Sequence, residues 1–440
     1  MATPKAVAPI IAAIALWCGS VGAADANPAQ SDPVARLAGA ASSASLRVPV
    51  PPPSATAMQF YRSGNILWGV RVFWVMLVPA AFVFSGASAR LRDFVLRRTQ
   101  RRAVMVALFF ILFATLLFLI NLPLRFYLGF IRLHAYGLSN QSGSRWLADS
   151  LKEFSVNLAV GVVLVSVLYF FLRRCGRYWW IWVWLTAAPL MLLGVLFQPI
   201  LYDPLFNDFG PMKNRVLAKK IISLAERAGI HESRVFEVDK SLDTKTLNAY
   251  VTGAFGSKRI VLWDTVIVRL DEDELLAVVA HEIGHYVLGH VWKGCACFLV
   301  LLAVGLWALS RLAPNLMARF KTRLGFDNLA DVASLPLLLL LAHLLSLVLT
   351  PVGNIYSRHV EHEADRFALE LTHLNRAGAT GSVKLLRDNL AVPNPGSFYR
   401  IFRSTHPASG ERIEFFNDYR PWETGAPLRY RKYFVPPQNP

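Results

Sequence analysis

The chain has 440 residues, 54% hydrophobic and only 17% charged, with a mean hydropathy of +0.39, whereas average chains are nearer a quarter charged. That excludes a disordered chain, a disulfide scaffold and a purely soluble enzyme. The formal charge of +17 does not point to nucleic acid, because much of the arginine stands in short runs beside apolar blocks, where it reports topology and attraction to anionic lipid.

In chain order, residues 1–26 carry Lys5, an apolar stretch from Ala6 to Trp17 and the small residues Val21-Gly22-Ala23. This is the layout of a signal peptide, or of an uncleaved N-terminal hydrophobic segment. Residues 27–60, rich in Ala, Pro and Ser, read as a flexible linker. Six apolar blocks of membrane-spanning length follow, near 65–86, 103–125, 156–172, 179–199, 294–312 and 332–352. Two polar stretches, one between the fourth and fifth blocks and one closing the chain, are expected to fold together. Four cysteines, Cys18, Cys175, Cys295 and Cys297, are too few for a disulfide framework.

Arginine crowds three connections that fall on one side if the spans alternate: Arg90 to Arg102, Arg173 to Arg177, and Arg311 to Arg323. The positive-inside rule puts these loops in the cytoplasm and both polar stretches outside.

Within the first polar stretch, 247–252 and 259–263 read as two strands joined by a turn holding Gly253 and Gly256. This is either a plain hairpin or an edge, formed by Asn248, Ala249 and Tyr250, that pairs with an extended peptide. The segment after it carries the chemistry. His281-Glu282-Ile283-Gly284-His285 places two histidines four apart on one helical face, one turn or ~5.4 Å along the axis. Both can reach one zinc ion, and Glu282 can hold a water bound to it. Asp271 to Glu274 favour a helix start just upstream, and that helix is expected to run directly into the fifth span.

A third ligand is sought in Ser357 to Ala368, where Glu361 and Asp365 share a helical face. Glu361 can ligate while Asp365 orients a ligating histidine; His359, His362 and Glu363 remain competitors by spacing alone. Both ligand-bearing helices would extend membrane spans, so the metal would lie at the membrane mouth. Near the C-terminus, His406 and Arg412 are candidates for stabilising an oxyanion. His290 receives no role, and His343 is read as a hydrogen-bonded interior residue.

Together these residues resemble the CAAX prenyl protease 1 family, integral-membrane zinc metallopeptidases that trim prenylated proteins. The similarity runs over roughly 60–420. It takes in Leu122-Pro123, Gly137 to Gln141, Pro204 to Phe209, Asn248-Ala249-Tyr250, Arg259 to Leu262, the HEIGH pentad, the block from Ser357 to Asp365, and His406-Pro407.

The resemblance implies a mainly α, polytopic membrane bundle enclosing a chamber, with a gluzincin-like zinc peptidase domain that carries a small β-hairpin or sheet. It implies one zinc per chain held by His281, His285 and Glu361, with Glu282 as general base, Asp365 as orienting residue or proton donor, and His406 and Arg412 near the substrate. The expected organisation is a four-span membrane domain over 61–200 and a peptidase domain over 201–440 that includes the last two spans.

Thr246-Leu247 stand where family members usually carry His-Ser, which suits a bacterial-type member in the inner membrane. The charge pattern puts the catalytic face in the periplasm; the family implies the cytosol. Expected partners are the bilayer and a peptide or protein substrate, lipidated or not. Membrane quality control without lipid recognition is the alternative, and a non-catalytic receptor with a structural metal the more distant one.

Overall fold

The computed structural model describes residues 47–252 and 259–435. The segment 1–26, most of the expected linker and the turn with Gly253 and Gly256 lie outside these residues.

Among the described residues, six helices are long and apolar enough to cross a membrane, at Ala55–Phe84, Arg102–Ala135, Gly143–Arg174, Gly176–Leu205, His290–Arg319 and Val332–Thr372. Their regular cores are called α1 (Ala55–Phe84), α2 (Arg102–Phe126), α3 (Gly143–Arg174) and α4 (Trp179–Phe197) before the polar region. Each carries large apolar side chains on its outer face; Ile66, Phe73, Val163, Val300 and Val348 are all more than half exposed. That pattern suits a hydrocarbon surrounding. Proline interrupts α1, α2 and α4 without ending them, as membrane helices tolerate.

The expected linker 27–60 ends earlier than its composition suggests. Ser54 caps α1 by accepting a hydrogen bond from the Ala57 amide at 3.0 Å, so residues 55–60 are helical. Upstream of the cap, the Val48 amide and carbonyl pair with the Asn417 side chain at 3.0 Å each, and Val48 and Val50 pack on Ile413 and Phe416. Specific partners far along the chain override a flexible composition here.

The polar region forms a four-stranded sheet of order β1-β2-β4-β3, with β1 Phe209–Pro211, β2 Arg234–Val238, β3 Ala249–Thr252 and β4 Arg259–Trp263. β2 and β4 run parallel while β1 and β3 pair antiparallel at the flanks, with Ala249 opposite Leu262. The expected hairpin therefore belongs to a larger sheet, in which β3 is an edge. Ile260 and Leu262 of β4 are buried in one core with residues of α5 (Arg215–Arg227) and α6 (Glu272–Val287), and Val261 is buried on the other face of the strand. A reciprocal capping box between Asp271 and Glu274 starts α6.

α6 does not continue into the fifth span. It stops at Val287, and Gly289 takes a left-handed conformation (φ 66°) before α7 (His290–Arg319) begins. The expected continuous helix is broken at Gly289, the residue free to adopt a positive φ without a Cβ clash. The sixth span behaves as expected: α8 (Leu335–Thr372) is one helix, passing Pro351 and delivering 355–370 beyond the apolar segment. Helices α9 (Asn375–Asp388), α10 (Ser397–Phe402) and α11 (Ser409–Asp418) close the chain against α6 and α8.

The arginine-rich connections meet at the end of the bundle where α8 begins. Ser88 donates to Ala333 O at 2.6 Å, Arg92 pairs with Asp331, and the Tyr169 hydroxyl lies 2.9 Å from Ser334 Oγ. The polar domain is built on the opposite end.

α6 and α8 cross with little room to spare. A Cβ on Gly284 would lie 3.1 Å from Phe367 Cδ1 and 3.3 Å from the Ala364 Cα, so this glycine sets the helix separation. Gly284→Val should destabilise the protein by about 1–3 kcal/mol through overpacking and reduce bound metal, checked by thermal unfolding in detergent and by metal analysis. Unchanged stability and metal content would show that the crossing is slack.

Candidate metal centre

The closeness of α6 and α8 brings together residues far apart in sequence. His281 and His285 are one turn apart on α6, with their Nε2 atoms 3.1 Å from each other. Across the crossing, Glu361 of α8 puts Oε2 at 3.4 Å from His281 Nε2 and Oε1 at 3.4 Å from His285 Nε2. One ligand atom from each of the three lies within 4.8 Å of the others. Of the competitors, His359 is two-thirds exposed, and Glu363 points to His290 and His359. Neither they nor His362 joins the cluster.

The donor set suits a metal on independent grounds. Glu361 Oε2 is a buried carboxylate oxygen without a hydrogen-bond donor, costly unless a cation faces it. Two imidazoles and one carboxylate, with no cysteine among them, leave a coordination position open, as catalytic sites do.

Asp365 lies one turn beyond Glu361 on the same face. Its Oδ1 is 2.8 Å from His281 Nδ1, so the proton stands on Nδ1 and Nε2 faces the cluster. Asp365 is fully buried and gripped by Arg412, whose Nε donates to Oδ2 at 2.8 Å and whose Nη2 donates to Oδ1. Burial disfavours a charged His281, but the Asp365 and Glu361 carboxylates outweigh it and raise the ring to about 10. That field favours positive charge at this position, whether proton or metal.

Arg412 is placed differently from its expected role. Its Nη2 is 3.4 Å from His281 Nδ1, on the side of the ring turned away from the cluster. Its guanidinium is committed to Asp365, which keeps it more basic than usual despite burial.

His406 does reach the cluster, with Nε2 3.3 Å from Glu361 Oε1 and Nδ1 2.9 Å from Thr405 Oγ1. Burial pushes this imidazole down to about 4, although the Glu361 carboxylate opposes the shift. At neutral pH it is a neutral donor and no cation. Glu282 is half-buried beside the two ligand histidines, and its carboxyl is raised by that burial. His343 is an interior residue whose Nδ1 lies 2.7 Å from Leu339 O.

Ala249 and Tyr250 start the edge strand β3, which packs against α6; Asn248 directly precedes it, and its O accepts from the Trp263 amide at 3.2 Å. From the sequence, His290 has no role and Glu363 is only a competing ligand. His290 stands with Nδ1 2.9 Å from His285 Nδ1, and Glu363 backs His290 at 3.5 Å. Five-residue spacing gives no helical-face signal; the glycine between them was the only available clue.

With the site in place, the chain can be compared with known proteins. Residues 211–420 match Peptidase family M48, and residues 64–208 match the N-terminal region of CAAX prenyl proteases described as having five membrane helices. An uncharacterised metalloprotease, YhfN, from Bacillus subtilis is 34% identical over 82% of this chain and 84% of its own. The chain belongs to peptidase family M48. A CAAX prenyl protease 1 homolog from Dictyostelium discoideum is 32% identical over 66% of this chain and 68% of its own. The crystal structure of S. mikatae Ste24p shares the fold, with a TM-score of 0.72 at 23% identity over 82% of this chain and 88% of that one. The protein is thus an integral-membrane metalloendopeptidase of the CAAX prenyl protease 1 type, with a metal cofactor and a peptide or protein substrate.

Arg412 and Asp365 form a buried pair behind His281. Arg412→Ala would leave a carboxylate buried without its cation and should cost about 3–5 kcal/mol, read from denaturant or thermal unfolding in detergent. A variant as stable as wild type would show that Asp365 finds other compensation.

Proposed function

We propose that this M48 member is a zinc endopeptidase whose active site is His281, His285 and Glu361 as ligands with Glu282 as general base, working on membrane-associated proteins that include prenylated ones. The observation that carries the reading is the convergence of two Nε2 atoms and a donorless buried carboxylate oxygen on one point, next to a half-buried glutamate. The domain organisation that accompanies it is a four-span membrane unit over 61–200 and a peptidase unit over 201–440.

Zinc bound there would act as a Lewis acid, lowering the pKa of water toward about 7 and polarising the scissile carbonyl. The rest falls to the protein. Glu282, whose carboxyl is raised by burial, takes a proton from the attacking water and returns it to the leaving amine. Neutral His406 offers a hydrogen bond to charge developing on the carbonyl oxygen. Asp365 holds His281 in the tautomer that presents Nε2, and Arg412 holds Asp365. Edge strand β3, unpaired on its outer side among the described residues, offers backbone pairing to an extended substrate.

A lipid-linked substrate fits the location. α8 carries Glu361 and Asp365 on the same helix as its membrane span, so the site opens at the bilayer mouth. The arginine-rich loops gather at the other end of the bundle, which supports a bacterial inner-membrane orientation with the catalytic end in the periplasm.

The deciding experiment is cleavage of matched farnesylated and plain peptides by protein purified in detergent. Wild type should cut the farnesylated peptide preferentially, and Glu282→Gln should keep its zinc while losing turnover. Equal cutting of both peptides would replace prenyl processing by general membrane proteolysis, and an active Glu282→Gln would remove the general-base assignment. Stripping the metal with a chelator should abolish activity, and stoichiometric zinc should restore it; metal-independent cleavage would overturn the zinc reading.

A further inference from the structure

His290 sits outside every sequence motif, yet its ring is only 5% exposed and stands directly behind a candidate ligand. The His285 and His290 rings cross at 75° with centroids 5.0 Å apart and meet Nδ1 to Nδ1 at 2.9 Å. On its far side, His290 Nε2 is buried without a hydrogen-bond partner and faces the Glu363 carboxylate, whose Oε2 is 3.5 Å away. We propose that His290 is a positioning residue for the metal centre: it fixes the tautomer and orientation of His285, and Glu363 fixes His290 in turn. The inference rests on the zinc site proposed above.

The proton arithmetic allows one arrangement of neutral rings. His285 turns Nε2 toward His281 and Glu361. To present a lone pair there, neutral His285 must carry its proton on Nδ1. Two imidazoles meeting Nδ1 to Nδ1 bond only if one donates and the other accepts, so His290 accepts. Its own proton then stands on Nε2, the atom that faces the Glu363 carboxylate. Glu363 is itself held in place, with Oε1 accepting from the Tyr430 hydroxyl at 3.4 Å and lying 3.6 Å from Arg429 Nη2. The negative charge of Glu363 on that side favours this proton placement, although at 3.5 Å it makes no hydrogen bond to the ring.

The two ligand histidines are therefore oriented by different means. His281 leans directly on Asp365, whereas His285 reaches its carboxylate through a second imidazole. The backbone makes this possible. In one continuous helix, residues five apart would face about 140° away from each other. The left-handed Gly289 turns the chain so that His290 comes back onto His285. A Cβ at Gly289 would meet nothing within 4 Å, so the glycine serves conformation and not packing.

The test is zinc affinity of the full-length protein in detergent, measured by competition with a chromophoric chelator, together with thermal midpoints of zinc-free and zinc-loaded protein. His290→Ala should weaken zinc about ten- to hundred-fold while leaving the zinc-free midpoint unchanged. His290→Asn, which keeps an acceptor, should recover part of the loss, and Glu363→Gln should weaken zinc less than His290→Ala does. His290→Ala binding zinc within about twofold of wild type would overturn the proposal, as would an equal drop of both midpoints, the mark of a purely structural residue. If His290→Ala does not fold, Glu363→Gln decides: weakened zinc supports the relay and unchanged zinc overturns it. Zinc binding by wild type is the separate control on the functional reading; only the difference between variants bears on His290.

Discussion

The close crossing of α6 and α8 is the constraint on which the rest depends. Glycine in the middle of a helix costs roughly 0.5–1 kcal/mol relative to alanine, yet Gly284 occupies the fourth position of the HEIGH pentad, where a Cβ would crowd Ala364 and Phe367. With the axes this close, imidazoles from one helix and a carboxylate from the other meet at one point. The sheet and α5 support α6 from one side, while α9 and α11 support it and α8 from the other.

That geometry collects charge that would be prohibitive if unpaired. Glu361 and Asp365 are buried next to each other on one helical face. Asp365 is balanced by Arg412, and Glu361 is left facing the two histidines. Excess negative charge is thereby confined to one spot, where a divalent cation would offset it. Two residues expected near the substrate are placed apart: Arg412 is committed to Asp365 behind His281, while His406 lies against Glu361.

Much of this was legible in the sequence, for physical reasons. Membrane spans announce themselves by length and apolarity, and all six are present among the described residues. The i,i+4 periodicity that pairs His281 with His285 and Glu361 with Asp365 is a property of any helix, so the faces could be read directly. What was lost concerned single backbone torsions and long-range contacts. The break at Gly289 depends on one positive φ, and without it the spacing from His285 to His290 looks meaningless. Val48 and Val50, in a segment of linker composition, are ordered by Asn417 nearly a whole chain away. The choice of Glu361 over Glu363 required knowing where α6 lies, since both sit on the same helix on different faces.

The ligands of the candidate site are divided by a membrane hairpin. His281 and His285 precede the fifth span, Glu361 follows the sixth, and His406 and Arg412 come later still. As the chain emerges from the ribosome, the pentad exists long before the carboxylate that completes it, and the two can meet only after both intervening helices have entered the bilayer and packed. Assembly of the candidate cluster is therefore coupled to the packing of these two membrane helices. Until they pack, the pentad stands without the carboxylate that faces it across the helix crossing.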